Sequence, residues 1–259
     1  MAGADDGESR CSPGGTEGLK MDTSSRTVPV AADSPPILHL SRVDPLFRFV
    51  QSRVGPLSYE VIWDPFAHMV ETIVGQMLSS KAADCITCRL YVLCGGSFTP
   101  ETVLKHDVPA LRSIGLSGAK AEYILSLAVR LAQEPDFFDT LPHLPDDDVL
   151  KRLTSLRGIG MWSAKMFLIF DLDRPDVLPY EDGAFLQAYR WLYLTDDLRP
   201  AAVRARCAPW SPHASLAARY MYKALDLGLT RDAEAGDALA KFRAGIGEGE
   251  PQAERVCRN

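Results

Sequence analysis

Two short stretches of this 259-residue chain carry residue types that could do chemistry. In "LRGIGMWSAK", residues 156–165, Gly158 and Gly160 bracket one isoleucine, and Trp162 follows two residues later. Such glycines expose backbone N–H groups beside a fresh helix N-terminus. That concavity attracts an anionic oxygen, and the missing β-carbons let a phosphate approach closely. The same residues would serve equally well as a tight connection between two core helices. In "LPYEDGAF", residues 178–185, Glu181 and Asp182 stand side by side just before an apolar-periodic run. Asp182 is placed to cap a helix N-terminus, a role compatible with a carboxylate that also does chemistry. A third set, Cys85, Cys88 and Cys94, has the spacing C-x2-C-x5-C, which resembles part of an iron–sulfur ligand set. Those cysteines read instead as helical. Nine residues at about 100° each turn Cys94 away from Cys85, and no fourth cysteine lies within twenty residues. They are expected to be buried thiols, with no iron–sulfur cluster and no other cofactor.

The elements that must hold these residues are helices. Phe66, Met69, Val70, Ile73, Val74, Met77 and Leu78 follow the i, i+3, i+4 rule behind the cap and first turn Asp64-Pro65. Ala121, Ile124, Leu125, Ala128 and Leu131 repeat it, as do Val149, Leu150, Leu153 and Leu156 behind the acidic turn Asp146–Asp148. Phe185, Leu186, Tyr189, Leu192 and Tyr193 give another, and Leu216, Ala217, Tyr220, Met221, Ala224 and Leu225 a last one. Gly158 is the natural left-handed residue past the helix from Asp146, and a new helix starts at Met161 or Trp162. No alternating strand competes, so the expectation is an all-α protein of about eight to ten short helices.

Composition is that of a water-soluble globular protein, 46% hydrophobic and 24% charged. No apolar run reaches the ~20 residues of a membrane helix, and the acidic N-terminus lacks the apolar core of a signal peptide. The expected setting is intracellular, cytoplasmic or nucleoid if the source is bacterial, with no membrane partner. Net charge is −6, of which −3 falls in residues 1–45, −1 in 228–259 and −2 in the middle. Residues 149–165 hold Lys151, Arg152, Arg157 and Lys165 and no acid, a local strip that could meet a phosphate backbone. Residues 1–36 read as a disordered tail, and 228–259 as a loose C-terminal tail with at most one short helix.

From about residue 45 to 226 the sequence resembles the helix-hairpin-helix DNA glycosylases, closest to their 3-methyladenine DNA glycosylase II (AlkA-like) branch. The blocks "IVGQMLSSKAA", "IGLSGAKAEYILSLA", "LRGIGMWSAKMFL", "RPDVLPYEDGAF" and "PWSPHASLAARYMY" carry the resemblance, in the family's order. It implies two helical lobes with an active-site cleft between them, 37–66 plus 173–227 and 67–172. The branch often carries an N-terminal β-rich domain, which is expected to be absent here because only the tail precedes residue 37. The first lobe would contain the catalytic Asp182, with Glu181 as its rival, and the second the helix-hairpin-helix. DNA contacts would come from Gln76, Met77, Arg157, Gly158, Ile159, Gly160 and Lys165. Met77 matches an intercalating wedge, or else belongs to the core stripe of its helix. A monovalent cation is implied at the backbone of Arg157, Gly158 and Gly160. Trp162 stands where strand-cutting relatives carry a Schiff-base lysine, and Lys165, a turn later, reads as a surface charge. Trp162, Tyr222, Met166 and Gly183 would line the base pocket, which Gly183 and Met166 make roomy, and Trp210 would pack between the lobes.

These features imply a monomeric, monofunctional enzyme that flips and excises alkylated bases such as 3-methyladenine and 7-methylguanine from damaged double-stranded DNA. The alternatives are a bifunctional endonuclease III or oxoguanine-type glycosylase-lyase, and a non-catalytic helix-hairpin-helix DNA-binding protein.

Overall fold

The computed structural model describes residues 25–248. After strand β1 (Ser25–Val30) come α1 (Pro35–Val43) and α2 (Pro45–Val54), then strand β2 (Leu57–Ile62) and α3 (Pro65–Gly75). Helices α4 (Ser80–Leu93), α5 (Pro100–Val103), α6 (Val108–Ser113) and α7 (Gly118–Gln133) follow. Next are α8 (Asp146–Thr154), α9 (Met161–Phe170), α10 (Gly183–Tyr193), α11 (Pro200–Cys207), α12 (Ala214–Asp226) and α13 (Ala233–Glu248). The protein is mostly helical, and α5 and α6 are pieces of one or two turns that periodicity alone does not resolve.

Helix starts are written locally. Asp44, Asp64, Ser79, Asp107 and Ser117 each accept a first-turn backbone N–H, with proline at the first positions of α2, α3 and α6. The stripes bury Phe66, Met69, Val70, Ile73 and Val74 on α3, and Ala121, Ile124, Ala128 and Leu131 on α7, where Leu127 is buried and the expected Leu125 is only partly so. The α3 stripe stops earlier than its sequence period. The helix ends at Gly75, and Met77 takes a left-handed conformation (φ 58°) with its side chain fully exposed. Met77 is therefore not a core residue.

The residues divide into two compact units, one of 62–144 with 154–159, the other of 26–61, 145–153 and 160–248. In the first, α3 packs on α4 and α7, and α5 and α6 pack on α7. In the second, α2, α10 and α12 form a core around the fully buried Phe47, Phe185, Trp210 and Tyr220. Trp210 is thus an interior residue of that unit. Its indole N–H donates to Asp44 Oδ2 at 2.9 Å, and the Tyr193 hydroxyl donates to the same oxygen.

Three expectations are corrected here. β1 and β2 pair in a two-stranded sheet, so the chain is not wholly without strands, and residues 25–36 are not all tail. Leu57, Tyr59 and Val61 do alternate with Ser58 and Glu60, but six residues alone make a weak signal until a partner strand is known. The third correction is α13, which is 16 residues long and not a short helix. Its Leu239 is buried in the second unit's core, and Phe242 meets Phe49 at 5.4 Å between ring centroids. Residues 1–24 of the expected N-terminal tail and 249–259 of the C-terminal one lie outside the described residues.

Candidate active site

Asp182 sits at the N-terminus of α10, and both of its carboxylate oxygens are held. Oδ1 accepts the backbone N–H of Phe185 at 2.6 Å, the capping bond expected of an Asp before an apolar run. Oδ2 accepts the indole N–H of Trp162 at 2.6 Å. The residue is 8% exposed. Trp162 reaches it from the first turn of α9, the helix that begins immediately after the glycine hairpin. Tyr222 of α12 completes the surroundings. Burial, followed by the negative charge of Asp182, pushes its phenol far above the ordinary range, so it stays a neutral hydrogen-bond donor. Its hydroxyl also lies 4.0 Å from Met166 Sδ. Trp162, Met166, Tyr222 and Asp182 are thereby brought together. Gly183 follows Asp182 as the first residue of α10, and a β-carbon there would meet nothing within 4 Å.

Glu181 and Lys165 are engaged elsewhere. The Lys165 ammonium donates to Glu181 Oε1 and Oε2 at 2.9 and 2.8 Å and to the Leu178 carbonyl at 3.1 Å. Lys165 is 7% exposed, which corrects the expectation of a surface charge and leaves its ammonium committed inside the fold rather than to a phosphate. Glu181 is correspondingly bound to a cation, and Asp182 is the carboxylate ringed by aromatic side chains. Burial draws the Lys165 pKa below the usual lysine range, with Glu181 opposing that shift.

The two hairpin glycines differ in what surrounds them. Gly158 has φ 85°, and an added β-carbon would lie 2.2 Å from the Tyr123 ring, so both backbone and packing exclude a side chain. Its carbonyl accepts Gln76 Nε2 at 2.9 Å. Gln76 therefore braces the turn. Gly160 is the N-cap of α9, has ordinary φ (−97°), makes no side-chain cap and faces open space. Gly160 thus supplies no side-chain cap to this helix N-terminus, whose dipole favours an anion. Ile159 between them is a buried anchor at 5% exposure, so any contact it makes with a ligand is through its backbone. Of the backbone carbonyls at which a monovalent cation is implied, those of Gly158 and Gly160 already take part in the turn, each with one of its two lone pairs. The Gly158 carbonyl faces a side-chain N–H, and the Gly160 carbonyl closes the first α9 bond to Ala164 N.

The basic strip is largely offset. Arg157 pairs with Glu122 at 2.6 Å, Lys151 with Asp148 at 3.0 Å and Lys165 with Glu181. A helix hairpin that grips phosphate here would do so through backbone N–H groups more than through net charge.

Sequence reasoning missed several residues. Lys120 donates to the carbonyls of Val74 and Gln76 at 2.8 and 2.6 Å, satisfying the C-terminal end of α3. Tyr123 forms the seat of Gly158. Arg219, 7% exposed, donates to the Ile169 carbonyl at 2.6 Å and stacks on Tyr59 and Phe170 at 3.8 and 4.8 Å. An arginine inside the apolar stripe of α12 was the available signal for it. Cys85 and Cys88 lie on α4 and Cys94 at its C-terminal cap, Cys94 buried and Cys88 exposed.

A family profile described as HhH-GPD superfamily base excision DNA repair protein matches residues 70–212, more than half of the chain and all of the hairpin, Trp162 and Asp182. The chain belongs to this family. A DNA-3-methyladenine glycosylase of Saccharomyces cerevisiae is 37% identical over 142 residues, 51% of this chain and 48% of that protein. The chain thus spans about half the length of that relative. The crystal structure of a Bacillus halodurans DNA-3-methyladenine glycosidase is 30% identical, with TM-score 0.66 over 76% of this chain and 92% of that one. A Schizosaccharomyces pombe 3-methyladenine DNA glycosylase in complex with abasic DNA is 26% identical, with TM-score 0.66 over 77% and 98%.

Proposed function

We propose that this HhH-GPD protein is a monofunctional glycosylase that removes alkylated bases, such as 3-methyladenine and 7-methylguanine, from double-stranded DNA. The observation that carries the reading is the hydrogen bond from Trp162 to Asp182. It joins the position that would hold a Schiff-base lysine in a strand-cutting relative to the carboxylate itself, and an indole cannot act as that nucleophile. The family membership and the relative bound to abasic DNA support the same reaction class.

The chemistry follows from the surroundings of Asp182. The target base must leave the duplex to reach a carboxylate buried to this degree. As the bond from C1′ to the base nitrogen breaks, its electron pair departs with the base and oxocarbenium character develops on the deoxyribose. Asp182 stabilises that charge while water adds to C1′ and gives up a proton. A methylated purine that is already cationic leaves without a strong general acid, so one carboxylate suffices. The faces of Trp162 and Tyr222 favour such a cationic base. The product is an abasic site in an intact strand.

The test is Asp182→Asn. Asparagine still caps α10, so fold and duplex binding should persist while release of methylated bases, followed by chromatography, falls at least about a hundredfold. Near-normal release would end the assignment.

A further inference from the structure

Lys165 has all three ammonium donors spent on one short turn. Two go to the Glu181 carboxylate and one to the Leu178 carbonyl, while Nζ also lies 3.4 Å from the centroid of the Tyr180 ring. Arg204 of α11 sits over the Tyr180 ring as well, at 4.4 Å. The turn itself is closed by Asp182 N donating to Pro179 O at 2.9 Å. Residues 178, 180 and 181 are therefore all anchored to one lysine, and the next residue is Asp182.

Lys165 stands three residues after Trp162, on the same face of α9. One helix thus holds the carboxylate through the indole and the backbone that presents it through the ammonium. A buried ion pair is a poor way to gain stability, because desolvation offsets the attraction. Its effects here are local: it fixes the turn, and it cancels a negative charge one residue from Asp182.

We propose that Lys165 is a positioning residue for Asp182, tethering the 178–182 turn and neutralising Glu181 beside the carboxylate. This rests on Asp182 being the catalytic group. Among the described residues, the charged and titratable groups around Asp182 and its turn are Lys165 on α9, Tyr180 and Glu181 on the turn, Tyr222 and, behind it, Arg219 on α12, and Arg204 on α11 over Tyr180. The Lys165–Glu181 pair combines opposite charges next to it with a tether to its backbone.

The experiment measures single-turnover base release from a methylated duplex by the full chain between about pH 4.5 and 8, with duplex affinity and thermal denaturation alongside. Lys165→Met should lower the plateau rate about tenfold with affinity within twofold of wild type. It should also move the acid limb to higher pH, because Glu181 is left uncompensated. Glu181→Gln should move that limb the other way, leaving the lysine charge unopposed. The double variant should return the limb to its wild-type place while the plateau stays low, since the tether remains cut. If Lys165→Met does not fold, Glu181→Gln against wild type still gives the comparison, and an unmoved limb there overturns the proposal. A merely structural lysine would reduce the active fraction equally at every pH, and three superimposable limbs would overturn the proposal. Asp182→Asn is the companion. Loss of release there with a wild-type profile for Lys165→Met sinks this proposal alone. Full release by Asp182→Asn sinks the catalytic assignment as well.

Discussion

Gly160→Asp should make the protein more stable and a worse DNA binder, and the opposite signs are what give the substitution its value. Position 160 is the N-cap of α9, with extended backbone, no side-chain cap and no atom within 4 Å of a new β-carbon. An aspartate fits there without strain. Its carboxylate can accept a first-turn N–H, worth a few tenths of a kcal/mol over glycine, and it meets the positive end of the helix dipole for a further ~0.3–1 kcal/mol. A net gain of about 0.5–1 kcal/mol raises the melting temperature by roughly 1–4 °C for a chain of this size. If the same N–H groups hold a DNA phosphate, the new carboxylate both takes the donors and repels the ligand. Two like charges about 6 Å apart cost roughly 1–3 kcal/mol between aqueous and protein-surface screening, a loss of roughly 5- to 150-fold in affinity. Calorimetry gives the first quantity, and fluorescence anisotropy with damaged and undamaged duplexes gives the second, with both duplexes affected alike. Unchanged affinity in a stabilised protein would show that this helix end does not hold phosphate. Affinity lost in step with stability would refute the separation of the two effects.

Gly158→Ala should instead be costly to the fold, about 2–5 kcal/mol by chemical denaturation, from the left-handed backbone and the overlap with Tyr123. A loss below about 1 kcal/mol would contradict that packing. Met77→Ala should leave stability within about 0.5 kcal/mol, as befits a fully exposed side chain, yet reduce the 2-aminopurine fluorescence change that reports flipping. An unaltered signal would remove Met77 from DNA recognition. Borohydride added during turnover should trap no protein–DNA adduct, because Trp162 is no amine and Lys165 is bound to Glu181; a trapped adduct would refute the monofunctional reading. Gly183→Tyr should raise the release ratio of a small over a bulky lesion at least about fivefold by filling the open space at that position, and an unchanged ratio would take Gly183 out of the pocket wall.

What the sequence made legible was local. The cap and stripe of α3, the acidic start of α8 and the capping position of Asp182 each depend on neighbours within a turn or two, so residue spacing reveals them. What escaped depends on distant partners. Lys165 looks like an ordinary exposed lysine until Glu181, 16 residues on, is seen to bind it. Gly158 is explained as much by Tyr123, 35 residues earlier, as by its own turn. β1 is a strand because β2 pairs with it, and nothing in "SRTVPV" requires that. In α13 the alanines and glycines dilute the stripe, and its place comes from Leu239 and Phe242 meeting a core assembled by other helices.

The end of α3 has one more consequence. Its last carbonyls are held by the Lys120 ammonium, and just beyond them Met77 projects from a left-handed backbone that costs an ordinary residue about 1–2 kcal/mol. The folded chain bears that cost permanently. The backbone beneath Met77 is thus preorganised, and an encounter with a binding partner need order only the thioether side chain, not the loop that carries it. Substitutions that free this corner, such as Lys120→Met, would transfer the ordering entropy from folding to association and appear as slower binding with the contact surface itself unchanged.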